Sequence, residues 1–82
     1  MEEKRIAILA IIVEERERVP EVNDLLFAYR EHIIGRMGMP YREKGLSIIS
    51  IVLDAPNSII SALSGKIGML QGVSAKAVYS KK

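Results

Sequence analysis

The sequence predicts an α+β fold with the element order βαββαβ. Two Ile- and Val-rich segments, residues 6–13 and 46–53, have the length and composition of buried strands. Two further segments repeat apolar residues every three or four positions, which is typical of amphipathic helices. Residues 73–80 alternate apolar and polar side chains, as an edge strand with one wet face does. Because crossovers through helices are right-handed, the simplest arrangement is a ferredoxin-like sandwich: a four-stranded antiparallel sheet with two helices on one face.

The first half of the chain predicts a strand, a helix and an edge strand. A charged loop, residues 14–18, follows the first strand. Pro20 suits the first turn of a helix, and an apolar repeat carries that helix to about His32. Residues 33–41 predict a short strand interrupted by glycines, at the sheet edge where Pro40 is tolerated.

The second half predicts a turn at residues 42–45, the second strong strand, and a turn with a helix start at residues 54–57. Gly72 turns the chain into the last strand, and residues 81–82 form a solvated tail. The apolar stripe of the second helix consists of Ile59, Ile60, Leu63, Ile67 and Leu70.

Glycines in the second helix invite comparison with a phosphate-binding loop. That motif needs a glycine five residues before Gly65 and a Ser or Thr after Lys66, but Ile60 and Ile67 occupy those positions. The match is therefore spurious. We expect Gly65 and Gly68 instead to let the helix lie close to the sheet.

Composition limits the classes of function. The 82 residues predict one domain, residues 1–82, and 49% hydrophobic content argues against disorder. A net charge of +2 with scattered Arg and Lys does not indicate nucleic-acid binding. No cysteine is present, which excludes disulfides and thiol catalysis. The charged start and the short apolar run after it predict neither a signal peptide nor a membrane span, hence a cytoplasmic protein. Few side-chain amides beside 27% charged residues favour a thermophilic source.

Two helices can cover only one face of the predicted sheet. The other face of the central strands would expose several Ile and Val side chains, which is typical of an interface. We therefore expect a homo-oligomer, a dimer or tetramer, formed through the open sheet face or the edge strands. The alternative is that these residues form a tight monomer core.

A glycine-bearing segment from Gly35 to Gly38 resembles the loop with which KH domains clamp a nucleic-acid backbone. In that fold the loop leads into a helix, and the six residues 39–44 with Pro40 do not suit one. An edge strand is the better interpretation, and a small nucleic-acid-binding module stays as the alternative function.

No catalytic, metal or cofactor site is expected. His32 is the one histidine of the chain, and a histidine in the last turn of a helix is usually solvated. Met37, Met39 and Met69 suit gap-filling in a core or interface better than ligation. Asp54 ends a strand without a His partner, so the sequence predicts no enzyme.

Three blocks of the chain, residues 33–42, 46–56 and 62–70, resemble the iron-only hydrogenase system regulators. That family is similar in fold to ACT domains and to the sensing domain of the nickel-responsive repressor. The resemblance implies an ACT-like, dimeric or tetrameric regulatory domain that senses a small molecule at a subunit interface.

Three departures limit what the resemblance transfers. The repressor binds nickel through several His and a Cys, which this chain lacks, and the chain has no room for a DNA-binding module, so direct DNA binding is not expected. ACT domains also often carry a glycine after the first strand, where this chain has residues 14–18. The polar or adaptable side chains of Arg36, Met37 and Tyr41 are the candidates for lining an effector pocket.

Overall fold

A computed structural model describes residues 3–81 of the chain. Met1, Glu2 and Lys82, which belong to the predicted charged start and tail, lie outside this range. The element order βαββαβ and the ferredoxin-like α+β class are confirmed. The strands and α-helices are β1 (Lys4–Val13), α1 (Val19–Ala28), β2 (Ile33–Tyr41), β3 (Leu46–Pro56), α2 (Asn57–Gly68) and β4 (Val73–Tyr79).

The strands form one antiparallel sheet in the order β2-β3-β1-β4, so β1 and β3 are central, as expected. Leu9 of β1 lies opposite Ile51 of β3, and both side chains are fully buried. β2 carries an irregularity between Ile33 and Gly35, where its register against β3 shifts by one residue. This shift places Ile34 outside the regular pairing.

The core lies between the sheet and the two helices. Alternate residues of the central strands point into it, since successive side chains of a strand face opposite sides of the sheet. The helices contribute residues at helical spacing. The fully buried side chains with the largest volumes are Leu9, Ile11, Val13, Val22, Leu26, Ile51, Leu53, Ile60, Leu63 and Ile67.

The central strands are longer than predicted. β1 begins at Lys4, two residues early, and β3 continues to Pro56 because Lys4 lies opposite it in the ladder. Asp54 pairs with Ile6 inside the sheet, so the turn predicted at residues 54–57 was wrong. α2 begins directly at Asn57, without a separate loop.

The first helix is shorter than predicted, since α1 ends at Ala28 rather than near His32. Tyr29 leaves helical geometry, with φ −105° and ψ 14°, and a 3₁₀ turn at Arg30–His32 follows. This tighter turn brings the chain back within a few residues, so that Ile33 packs against the core as β2 begins.

The glycines of α2 do not pack against the sheet. Apart from the helix's own backbone, no atom lies within 4 Å of where a Cβ of Gly65 or Gly68 would sit, and both residues are exposed. The predicted close approach was therefore wrong. The turn predicted at Gly72 is confirmed, with φ +75°, and Gly45 ends the β2–β3 connection with φ +65°.

Candidate functional site

The face of the sheet opposite the helices is uncovered and largely apolar, although Lys76 and Asp54 also lie on it. We call it the open face. Every strand contributes to it, and Met37 is 71% exposed while Ile8 is 46% exposed. Its large exposed apolar side chains are Ile6, Ile8, Ile12, Met37, Met39, Tyr41 and Val78.

The open face is not flat. Ala10 and Ser50, which are small, lie opposite each other in the central strands, between the larger side chains of neighbouring positions. Beside them Met37, Met39 and Ile48 line a hollow of about 170 Å³ together with Ser50 and Gly38. Large side chains beside a depression allow the side chains of another apolar surface to pack between them.

A second concave surface lies on the helix side of the sheet, between α1 and the edge strand β2. We call it the α1–β2 cleft. It has a volume of about 520 Å³, and its apolar lining consists of Leu26, Phe27 and Ile33. This volume is within the range of about 300–1,000 Å³ that is usual for small-molecule sites.

Two arginines line the α1–β2 cleft. The Nη2 atom of Arg36 donates a hydrogen bond to Oδ1 of Asn23 at 2.6 Å, which ties β2 to α1. The guanidinium of Arg30 stacks 4.2 Å from the centre of the Phe27 ring and donates to the Phe27 carbonyl oxygen at 3.0 Å. The protein groups that contact the guanidinium groups of Arg36 and Arg30 in these interactions are therefore neutral.

The ion pair of the described residues, Arg18 with Glu21 at 2.7 Å, lies in the first turn of α1, away from both surfaces. The hydrogen bond and then the charge of Glu21 raise the pKa of Arg18, so Arg18 remains a cation at every working pH. Asp24 also lines the α1–β2 cleft, but neither of the cleft arginines lies within 4.0 Å of a carboxylate in residues 3–81.

The three predicted site residues do not share one pocket. Arg36 pairs with buried Ile51, so its side chain is on the helix side of β2. Met37 and Tyr41 point to the open face, Met37 at the hollow. Their role in effector binding stays a prediction.

Sequence reasoning missed Asn23, Phe27 and Arg30 as companions of Arg36. Their spacing of four and three residues places them along one stripe of α1 and its continuation, which is the signal that could have found them.

The described residues include no group of buried polar side chains and no cluster of metal ligands. Within residues 3–81 no polar or charged side chain is buried, and no three His, Cys, Asp or Glu side chains cluster as metal ligands. The segment from Gly35 to Gly38 is part of β2, paired with β3, rather than a free loop. Among the described residues, no helix is long and apolar enough to cross a membrane.

Fold and surfaces together define a small ferredoxin-like α+β domain with an uncovered apolar sheet face. The chain matches the family model "TM1266-like: Iron-only hydrogenase system regulator, putative" over residues 5–77, and it belongs to that family, which confirms the resemblance. Among solved structures it is similar to the uncharacterized protein TM1266 from Thermotoga maritima. The two share 48% sequence identity, with 96% of this chain and 100% of that chain covered, and superpose with a TM-score of 0.91. No curated protein matches the chain significantly.

Proposed function

We propose that this chain is a non-enzymatic regulatory module of the iron-only hydrogenase system that works as a homo-oligomer and responds to a small effector or a partner protein. The family description supports the regulatory role. The open face is the observation that carries the proposal, because a soluble monomer rarely leaves so large an apolar patch bare. The cytoplasmic location predicted from the sequence is part of this proposal.

The area of the open face suits a second copy of the chain. β1 has ten residues and the sheet four strands, which gives a face of roughly 600 Å² from a rise of about 3.3 Å per residue and a strand spacing of about 4.8 Å. A standard interface buries about 800 Å² on each partner, counted over the relief of the surface. Two open faces related by a two-fold axis would therefore make an interface of ordinary size.

Face-to-face pairing would also shape an effector site. A second copy would roof the hollow beside Met37, and the exposed edge of Tyr41 would lie at the rim of the interface. Ligand binding there would change the stability of the oligomer, which is how a module without catalytic groups can transmit a signal.

The first test is the mass in solution. We expect multi-angle light scattering at about 50 µM to give at least twice the chain mass of 9.1 kDa. Ile8→Lys, at the centre of the open face, should reduce the mass to that of a monomer, because it buries an unpaired charge. Met69→Lys is the matched control, since Met69 is 86% exposed and lies beyond the end of α2. A monomeric parent chain would refute the oligomer, and an unchanged Ile8→Lys oligomer would place the contact elsewhere, such as the edge strands.

A further inference from the structure

We propose that the α1–β2 cleft is a binding site for a small organic anion, a molecule with a carboxylate or phosphate group on an apolar body. This site goes beyond the proposed function, because it is a second place, separate from the hollow beside Met37, at which a ligand of stated chemical class would bind. It uses surfaces on the helix side of the sheet, so it does not depend on the open face.

Two cations in the cleft have hydrogen-bond donors that no group within residues 3–81 uses. A guanidinium has five N–H donors, and Arg36 directs one at Asn23 while Arg30 directs one at the Phe27 carbonyl. Neither cation is paired with a carboxylate in the described part of the chain. The remaining donors can form the two parallel hydrogen bonds with which arginine binds carboxylate and phosphate.

Both cations are also held in place by contacts within the protein. Arg36 is fixed by a short bond across two elements, and Arg30 by stacking on a ring. Long side chains that are already ordered lose less entropy when a ligand binds. Arg36 donates its hydrogen bond to the neutral amide of Asn23 and forms no ion pair with the neighbouring carboxylate of Asp24. The positive charge of Arg36 is therefore available to a ligand.

The lining of the cleft combines these cations with apolar and aromatic side chains. Leu26 and Ile33 supply an apolar floor, and the ring of Phe27, 65% exposed, supplies an aromatic wall. A free inorganic ion would use the cations and leave this surface unused. A ligand with an apolar or aromatic body would use both.

The charges around the cleft favour a small molecule over an acidic polymer. Asp24 lies in the same cleft and repels an extended chain of negative charge. The net charge of the whole chain is only +2, with no basic stripe to continue the site. A single anionic group in the cleft has two cations, Arg30 and Arg36, and one carboxylate, Asp24, among the lining residues.

Three probes separate the parts of this proposal: inorganic phosphate, phenyl phosphate and phenol, titrated into ¹⁵N-labelled protein and followed by NMR. We expect phenyl phosphate to shift the side-chain amide signal of Asn23 and to bind at least about five-fold more tightly than either part alone. Arg36→Gln and Arg30→Gln should each weaken binding about ten-fold, the size of one lost charge-assisted hydrogen bond. Arg42→Gln is the matched control, an exposed arginine outside the cleft.

Several results would overturn the proposal. One is the absence of saturable binding of phenyl phosphate. Another is a loss of affinity for phenyl phosphate in Arg42→Gln equal to that in the cleft variants. A third is tight binding of polyglutamate or an oligonucleotide that depends on Arg30 and Arg36, in a protein that does not bind phenyl phosphate. Unfolding temperatures of the variants show that the fold is kept. Light scattering on the same samples keeps the two proposals apart, because a monomer that binds phenyl phosphate refutes only the oligomer, and an oligomer that does not bind it refutes only this site.

Discussion

The side chain of Glu15 lies directly over Gly72, so that a Cβ on Gly72 would sit 2.6 Å from Cγ of Glu15. A backbone bond beside it, from the Glu14 N–H to the Gly72 carbonyl oxygen at 2.7 Å, joins the same two segments. The loop after β1 and the turn before β4 are therefore packed as one unit, and Gly72 is the residue that permits it.

Gly72→Ala should destabilise the protein. Its φ of +75° costs an L-residue about 1–2 kcal/mol, and the contact with Glu15 adds to that. Urea unfolding would measure the loss. Glu15→Ala in the same chain removes the clash but not the φ penalty, so the double variant should recover part of the stability. Equal stability of Gly72→Ala and the parent chain would contradict this account.

Gly65→Ala should have the opposite effect. Gly65 is exposed within α2, and its added methyl group would meet open space. Replacing glycine with alanine inside a helix stabilises by about 0.5–1 kcal/mol. For a domain of this size we expect a rise of roughly 4–8 °C in Tm per kcal/mol. A fall in Tm would show that the small residue is needed for a contact with another molecule.

Leu63→Ala should be among the most damaging substitutions in α2. Leu63 is fully buried, and loss of such a side chain costs about 2–5 kcal/mol through lost transfer energy and the cavity left behind. Met69→Ala, at the exposed residue after α2, should change the free energy of unfolding by no more than about 0.5 kcal/mol. Calorimetry or urea unfolding would compare the pair, and similar costs would show that the core is elsewhere.

The unfolding temperature should depend on protein concentration. If the folded chain associates through the open face, mass action raises Tm as the concentration rises from about 5 to about 500 µM. Ile8→Lys should abolish this dependence, whereas Met69→Lys should keep it. A Tm that is independent of concentration in the parent chain would count against association over this range.

Single-stranded RNA should not bind, because the segment from Gly35 to Gly38 is a paired strand and not a clamp. Fluorescence anisotropy with a labelled oligonucleotide at low salt is the sensitive measurement, since electrostatic binding is strongest there. Saturable binding that disappears when Arg36 and Lys44 are neutralised would instead support the nucleic-acid alternative.

Much of the fold follows from periodicity, and the failures have local causes. Continuous Ile- and Val-rich runs predicted the central strands β1 and β3, and the alternation of apolar and polar residues predicted the edge strand β4. The end of α1 was missed because the apolar repeat continues through Tyr29 to Ile33, whereas the backbone changes to a 3₁₀ turn to start β2. Composition cannot report whether a helical glycine faces the sheet or solvent, which is why Gly65 was misplaced.

The candidate site was harder to predict than the fold. Alternation along β2 already separates Arg36 from Met37 and Tyr41, so three candidates chosen by side-chain chemistry fell on two surfaces. The partners of Arg36 come from α1, thirteen residues away for Asn23. Such a contact depends on how the helix is placed over the sheet edge, which local sequence does not encode.

The outer edges of the sheet bear on how far association can proceed. Edge β2 is irregular at Ile34 and includes Pro40, which has no N–H to offer to another strand, while edge β4 is short and carries Lys76. These features discourage a further strand from adding to either side. By contrast, two open faces that pair about a two-fold axis cover each other, so no open face remains for a third copy of the chain. The same sheet that invites a partner is thus protected from growing into a fibre.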